Sequence, residues 1–218
     1  MASSLADQIE CCGYGFLPAY LAGADSVAVA TSLGTPLVPW EGGLVQQLTP
    51  RATATPNTYS GIYGLDRFPF HTDLAHWRQP PRYLLLRCMK GYADIPTLLI
   101  DAKAIFEGAT LNSMTRAIVK PRRPQNGSVP LLRLCEQVGA THRFRWDEVF
   151  LVAASRTGEA AIDAVKSFLS GAEPLSIALA GAGDTLIVDN WRMLHARSPI
   201  VAGREDRSIE RIYLERLH

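Results

Sequence analysis

Read from its apolar and polar positions, the chain divides into a helical start and a long strand-rich remainder. Residues 1–35 predict a helix, a short strand and a second helix. Gly34 and Pro36 end that run, because neither residue suits a helix interior. Residues 36–62 are rich in Pro, Gly, Thr and Gln and predict loop with short strands. From Arg82 to Met89 the near-continuous apolar run Arg-Tyr-Leu-Leu-Leu-Arg-Cys-Met predicts a strand buried on both faces, introduced by Pro80 and Pro81. Thr97 to Ile100 is a second such run. Asp101 is then placed to N-cap a helix through Phe106.

Residues 120–128 (Lys-Pro-Arg-Arg-Pro-Gln-Asn-Gly-Ser) predict a loop, and its basic cluster Lys120, Arg122 and Arg123 a solvated turn. Strands follow at 131–135, 142–146 and 149–153. Ala161, Ala164, Val165, Phe168 and Leu169 recur at helical spacing and predict an amphipathic helix closed by Gly171. Runs at 175–180, 185–189 and 208–217 complete the pattern. Gly181 and Gly183 resemble a nucleotide loop, but a strand follows them and not the helix N-terminus that would hold a phosphate. Many short strands with few helices predict a β-sandwich or barrel flanked by helices.

Composition narrows the class. The 218 residues suit one large domain of the usual size, about 150 residues or more. Lys plus Arg number 22 against 21 Asp plus Glu, so a strongly basic nucleic-acid binder is excluded. No apolar run approaches the ~18 residues of a membrane span, and residues 1–22 lack a signal-like charged start. The expectation is therefore no nucleic-acid partner and no membrane. Cys11, Cys12, Cys88 and Cys135 fit neither a zinc pattern nor a disulfide framework, which points to idle thiols in a reducing, cytoplasmic setting.

The chemistry lies in the histidines. Of five, His71 alone has a carboxylate two residues on, Asp73, and on a strand positions i and i+2 share a face and can grip one ion. His195 lies just beyond the run ending Val188-Asp189-Asn190. Two imidazoles and one carboxylate leave open positions on a metal, the arrangement of non-haem Fe(II) oxygenases, whereas a structural zinc site would want four closed ligands. Arg207 and Arg211 share a strand face, about 13 Å apart, with Ile212 and Leu214 on the other. Guanidinium groups facing a barrel interior need anions, and a dicarboxylate cosubstrate suits them. His76 is assigned to supporting or surface packing. Trp191 and Arg192 fix the turn before His195, and Asp189 and Asn190 orient that loop through local backbone hydrogen bonds.

Phe-His-Thr-Asp at 70–73, the stretch Gly-Asp-Thr-Leu-Ile-Val-Asp-Asn-Trp-Arg-Met-Leu-His-Ala-Arg-Ser-Pro at 183–199, and the two arginines resemble the taurine dioxygenase and clavaminate synthase group of Fe(II)/2-oxoglutarate oxygenases. The resemblance runs from about residue 60 to 217 and is loose over 108–172. It implies one domain over 1–218 that is mainly β with flanking helices. Its core would be a double-stranded β-helix (jelly-roll, cupin-like) over 60–217, with residues 1–35 an N-terminal addition and a helical insertion near 158–171.

The resemblance further implies His71, Asp73 and His195 as Fe(II) ligands, and Arg207 with Thr97 on the distal carboxylate of 2-oxoglutarate. Arg211 would face the substrate or lend a second charge near the cosubstrate. With O2 as co-reactant, the expected outcome is hydroxylation or desaturation of a small polar metabolite, such as an amino acid or other carboxylate. Ala-Asp-Ile-Pro at 93–96 replaces the Gly-Gly-Asp that often precedes the group's Thr. The compact segment between Asp73 and His195 leaves a pocket that is more open or is completed by a second subunit in a homo-oligomer. Two competing readings are a cupin-like lyase or isomerase without 2-oxoglutarate and a catalytically silent carboxylate-binding module.

Overall fold

The computed structural model describes residues 4–39, 43–106, 110–124 and 127–218. The helical start is as expected: α1 (Leu5–Cys12), β1 (Tyr14–Leu17) and α2 (Ser26–Leu33). Ser4 and Asp7 form a capping box at α1, and the Asp25 side chain caps α2. Helices of eight residues are marginal alone in water. Burial decides for them, since Ile9, Val29 and Leu33 each contribute about 1.5–3 kcal/mol on leaving water. The expectation for residues 1–3 lies outside the described residues.

Gly34 and Pro36 do end the helix, but within a strand, β2 (Gly34–Leu37). It is an edge strand, where a proline's missing donor costs nothing. A Cβ on Gly34 would stand 2.2 Å from the Arg216 carbonyl oxygen, so only glycine fits. After β3 (Gln46–Leu48) comes a short helix, α3 (Tyr59–Tyr63), that the loop-like composition of 36–62 conceals. Thr58 caps it.

Next come β4 (Tyr83–Lys90), β5 (Thr97–Asp101), α4 (Lys103–Phe106) and α5 (Thr110–Arg116). Asp101 ends β5, and its carboxylate accepts the Lys103 N–H. The expected loop at 120–128 begins inside a strand, β6 (Ile118–Pro121); its residues 125–126 lie outside the described residues. The strand expected at 131–135 is two pieces, β7 (Leu132–Arg133) and β8 (Cys135–Val138), followed by β9 (Thr141–Phe144) and β10 (Leu151–Ala153). Leu134 breaks the run because its N–H bonds the Ala117 carbonyl. The amphipathic helix is α6 (Arg156–Gly171), and β11 (Leu175–Ile177), β12 (Thr185–Asp189), β13 (Met193–Arg197) and β14 (Ser208–Leu217) close the chain.

Among the described residues the strands build four sheets, of which two face each other. The major sheet runs β1-β12-β4-β14-β2, with β3 also on β14; the minor sheet is β11-β5-β13. In β4 and β12, Leu84, Leu86, Cys88, Leu186 and Val188 point between the sheets, while Leu85 and Ile187 point out under α1 and α2. Burial on both faces explains the unbroken apolar runs. The outer face of the minor sheet, with Leu98, Ile100, Leu194 and Ala196, packs beneath α5, α6 and β6–β9. This is the expected double-stranded β-helix, mainly β with flanking helices.

Candidate active site

Between the sheets opens a cavity of about 540 Å³, lined by all six residues singled out in the sequence: His71, Asp73, Thr97, His195, Arg207 and Arg211. His195 lies mid-strand in β13, opposite Leu99 of β5. His71 is not in a regular strand, contrary to the reading of 71–73 as one. It continues the minor sheet by isolated bridges, to His195 on one side and Asp147 on the other. The chain then turns at once, with Leu74 at a left-handed φ of 55°.

One atom each of His71, Asp73 and His195 lie within 4.8 Å of one another, and all three residues are buried. Asp73 Oδ1 is 3.5 Å from Nε2 of both imidazoles. Its other oxygen, Oδ2, accepts hydrogen bonds from Arg211 Nη1 and the Tyr213 hydroxyl, each at 3.0 Å. One carboxylate oxygen is thus held by donors while the other faces the histidines. Burial alone would raise the Asp73 pKa, but Arg211 and the two imidazoles hold it well below the usual carboxylate range.

His71 Nδ1 is 2.9 Å from the Pro69 carbonyl oxygen. A carbonyl can only accept, so in the neutral ring Nδ1 carries the proton and Nε2 is left bare toward Asp73, and only protonation lets Nε2 donate to that carboxylate. Burial depresses the pKa of His71, but the hydrogen bond and charge of Asp73 outweigh it and the net shift is upward. At His195, burial and then the charge of His71 win, and the shift is downward. The His195 Nδ1 is buried without a hydrogen-bond partner among the described residues.

The 71–78 segment is clamped from outside. The Asn190 side chain accepts from the Asp73 N–H at 2.7 Å and donates to the Asp73 and Pro81 carbonyls at 3.0 and 2.9 Å. The local role expected of Asn190 is therefore corrected: it holds the backbone of Asp73, 117 residues away. Asp189 does act locally, accepting the Trp191 N–H, and burial raises its pKa. Trp191 donates to the Pro80 carbonyl, and Arg192 pairs with Asp101, so both fix the turn as expected. Arg145, 1% exposed, donates to the carbonyls of Ala75, Trp77, Arg78 and Arg133. Its pKa is pushed down to about 10 by burial, so it stays charged at neutral pH.

Arg207 is buried and its Nε has no partner among the described residues; neither Glu205, Asp206 nor Glu210 pairs with it, and Asp206 is taken by Lys90. Arg197 stands beside it, opposite Thr97 in the sheet register, with its own Nε buried and without a partner among the described residues. Burial and then the neighbouring Arg207 push the Arg197 pKa down to about 10. Arg211 also donates from Nε to Gln46, at 2.8 Å, and so is engaged on Asp73 and β3. Tyr213 escapes the sequence reading although strand alternation from Arg211 would have found it. His76 lines the cavity, with Nδ1 buried and without a partner among the described residues; burial and then Arg145 lower its pKa. Of the basic cluster at 120–123, Lys120 is exposed, Arg122 donates to the Val149 carbonyl and Arg123 contacts Asn57.

No family model matches the chain. Its fold is found in solved structures. PvcB of Pseudomonas aeruginosa, an Fe, α-ketoglutarate dependent oxygenase from an isonitrile synthetic pathway, superposes with a TM-score of 0.69 at 18% identity, over 96% of this chain and 78% of that one. The non-heme iron oxygenase OrfP, solved with Fe and α-ketoglutaric acid, gives 0.69 at 16% identity, over 95% and 76%. Asparagine oxygenase, solved with Fe(II), 2S,3S-3-hydroxyasparagine and succinate, gives 0.61 at 16% identity, over 78% and 56%. The likeness shows the fold. The chain spans just over half the length of asparagine oxygenase.

Proposed function

We propose that this protein is an Fe(II)- and 2-oxoglutarate-dependent oxygenase. On this reading residues 1–218 form one oxygenase domain, acting in the cytoplasm on a small polar metabolite. The carrying observation is the convergence, in one cavity, of a His71–Asp73–His195 cluster and an orphaned buried guanidinium at Arg207. The donor set fits the metal. Two imidazole nitrogens and one anionic oxygen suit ferrous iron, and Asp73 Oδ1 stands 3.5 Å from Nε2 of each imidazole, so the three donors are gathered where they would hold one ion. The free guanidinium edge fits a carboxylate, which a buried arginine requires. Fe(II) with 2-oxoglutarate would supply the O2-driven oxidation of a substrate carbon, with release of succinate and CO2.

The chain's own residues would do the rest. Arg207 and Thr97 would hold the far carboxylate of the cosubstrate. Arg211 and Tyr213 would keep Asp73 ionised and leave Oδ1 as its ligand atom. The Pro69 carbonyl would fix the His71 tautomer, as outer partners of ligating histidines do. The buried walls would exclude water. The hydroxyasparagine and (3S)-hydroxy-L-Arg bound by neighbouring folds support an amino-acid-like substrate and hydroxylation as the outcome.

Anaerobic titration with Fe(II) and 2-oxoglutarate tests the reading, with a weak visible charge-transfer band expected. Its absence would remove the chelate. Arg207→Ala should raise the 2-oxoglutarate requirement ~10–100-fold, the scale of a lost charge-assisted hydrogen bond. An unaltered requirement would pass that role to Arg197.

A further inference from the structure

The cavity is sorted by charge across the histidine pair. In the minor sheet, Thr97 opposes Arg197, His195 opposes Leu99, His195 bridges to His71, and His71 bridges to Asp147. Adjacent strands stand about 4.8 Å apart, so Asp147 flanks the triad on the side away from Thr97. Directly opposed residues share a face, which points Asp147 inward with the two histidines. The Thr97 flank carries Arg197 and Arg207. The Asp147 flank carries the rings of Tyr59 and Phe150.

Asp147 is 4% exposed, and no ion pair to it occurs among the described residues. Its Oδ1 accepts the N–H groups of Val149 and Phe150 at 2.9 and 2.8 Å. The groups beside its carboxylate are the ring of His71 and the hydroxyl of Tyr59, which is buried and has no partner at hydrogen-bonding geometry among the described residues. Two neutral donors on one oxygen compensate a buried carboxylate poorly, and a cation would complete it. The surroundings suit one. Tyr59 stacks on His71 with centroids 4.3 Å apart and Phe150 meets Tyr59 edge-on at 5.4 Å, so the Tyr59 hydroxyl and the Phe150 ring border the cavity beside Asp147, where an aromatic ring attracts a cation.

We propose that Asp147, Tyr59 and Phe150 form a subsite for the ammonium group of an amine substrate, on the flank of the triad opposite the Arg207 carboxylate site. The inference deepens the oxygenase reading and rests on it for what then happens to the bound amine. The recognition itself needs only the pocket.

The test is a set of ligand-observed NMR titrations of the full chain, with free L-amino acids and their N-acetyl forms as probes. At least one free amino acid should bind about tenfold or more tightly than its N-acetyl form, as a lost charge-assisted bond predicts. Asp147→Asn keeps the acceptor for Val149 and Phe150 and should bring that ratio below about threefold. Should that variant fail to fold, Phe150→Leu leaves Asp147 in place, and it should weaken the free amino acids several-fold without moving the N-acetyl forms. The proposal falls if no free amino acid binds, if N-acetylation costs nothing, or if the ratio survives in the folded variant. Succinate release is read in parallel: amine binding lost in Asp147→Asn, with no succinate from the unaltered protein, would keep the subsite and remove the oxygenase reading.

Discussion

The two walls of the cavity are built in different ways. His195, Arg207, Arg211 and Tyr213 lie in or beside β13 and β14, where ladder hydrogen bonds set backbone position and alternation sets which side chains point inward. His71 and Asp73 lie on a segment with only isolated bridges, running straight into the left-handed Leu74. There, side chains from elsewhere do the ladder's work: Asn190 grips the Asp73 backbone, and Arg145 collects the carbonyls that follow. The contrast teaches that half of this site is positioned by secondary structure and half by a few buried polar side chains. The second half is the more fragile.

Asp73→Ala should have the largest effect, because it removes the one anionic donor. Iron retention after reconstitution and succinate formation should both be lost, and unchanged turnover would take Asp73 out of the metal site. Arg145→Leu comes next. It strips the donors from four backbone carbonyls, that of buried Ala75 among them, and should cost about 3–5 kcal/mol of stability as several charge-assisted hydrogen bonds are lost, read from the urea midpoint. A loss below about 1 kcal/mol would show that the 75–78 turn holds itself.

Asn190→Ala should lower metal affinity ~10–100-fold, the usual cost of removing a supporting partner, while leaving the ladder wall intact. Amide exchange should then quicken at Asp73 and not at His195. Equal quickening would mean that the two walls are not independent. Tyr213→Phe is the mildest test. It removes one of two donors to Asp73 Oδ2 and should change metal affinity only a few-fold, about 1 kcal/mol. A loss as large as that of Asn190→Ala would show the regular wall to be no more tolerant than the other.

This division also governs what the sequence could reveal. The strands at 83–90, 185–189 and 208–217 are long apolar or alternating runs whose burial is written into their own residues. The helix at 156–171 shows its period in the same way. The His71–Asp73–His195 cluster was legible because His71 and Asp73 are close in sequence and the 183–199 stretch carries the residues on which the resemblance rests. Asp147 and Tyr59 left no trace: each sits in a short segment, Asp147 placed by its bridge to His71 and Tyr59 by ring contacts with His71 and Phe150. The helix at Tyr59–Tyr63 was hidden for the same reason, being only five residues long and capped by Thr58. Asn190 was read as a local turn former because that is what asparagine before a turn most often does. Its long-range grip is invisible without the fold.

The N-terminal segment matters beyond its helices. β1 and β2, at residues 14–17 and 34–37, form the two borders of the major sheet, one on β12 and the other on β14. A shortened protein starting at residue 38 would bare rows of unpaired amides and carbonyls along both borders at once, an invitation to polymerise strand by strand. Affinity tags therefore belong ahead of residue 4, and trimming this end should be expected to trade yield for aggregates.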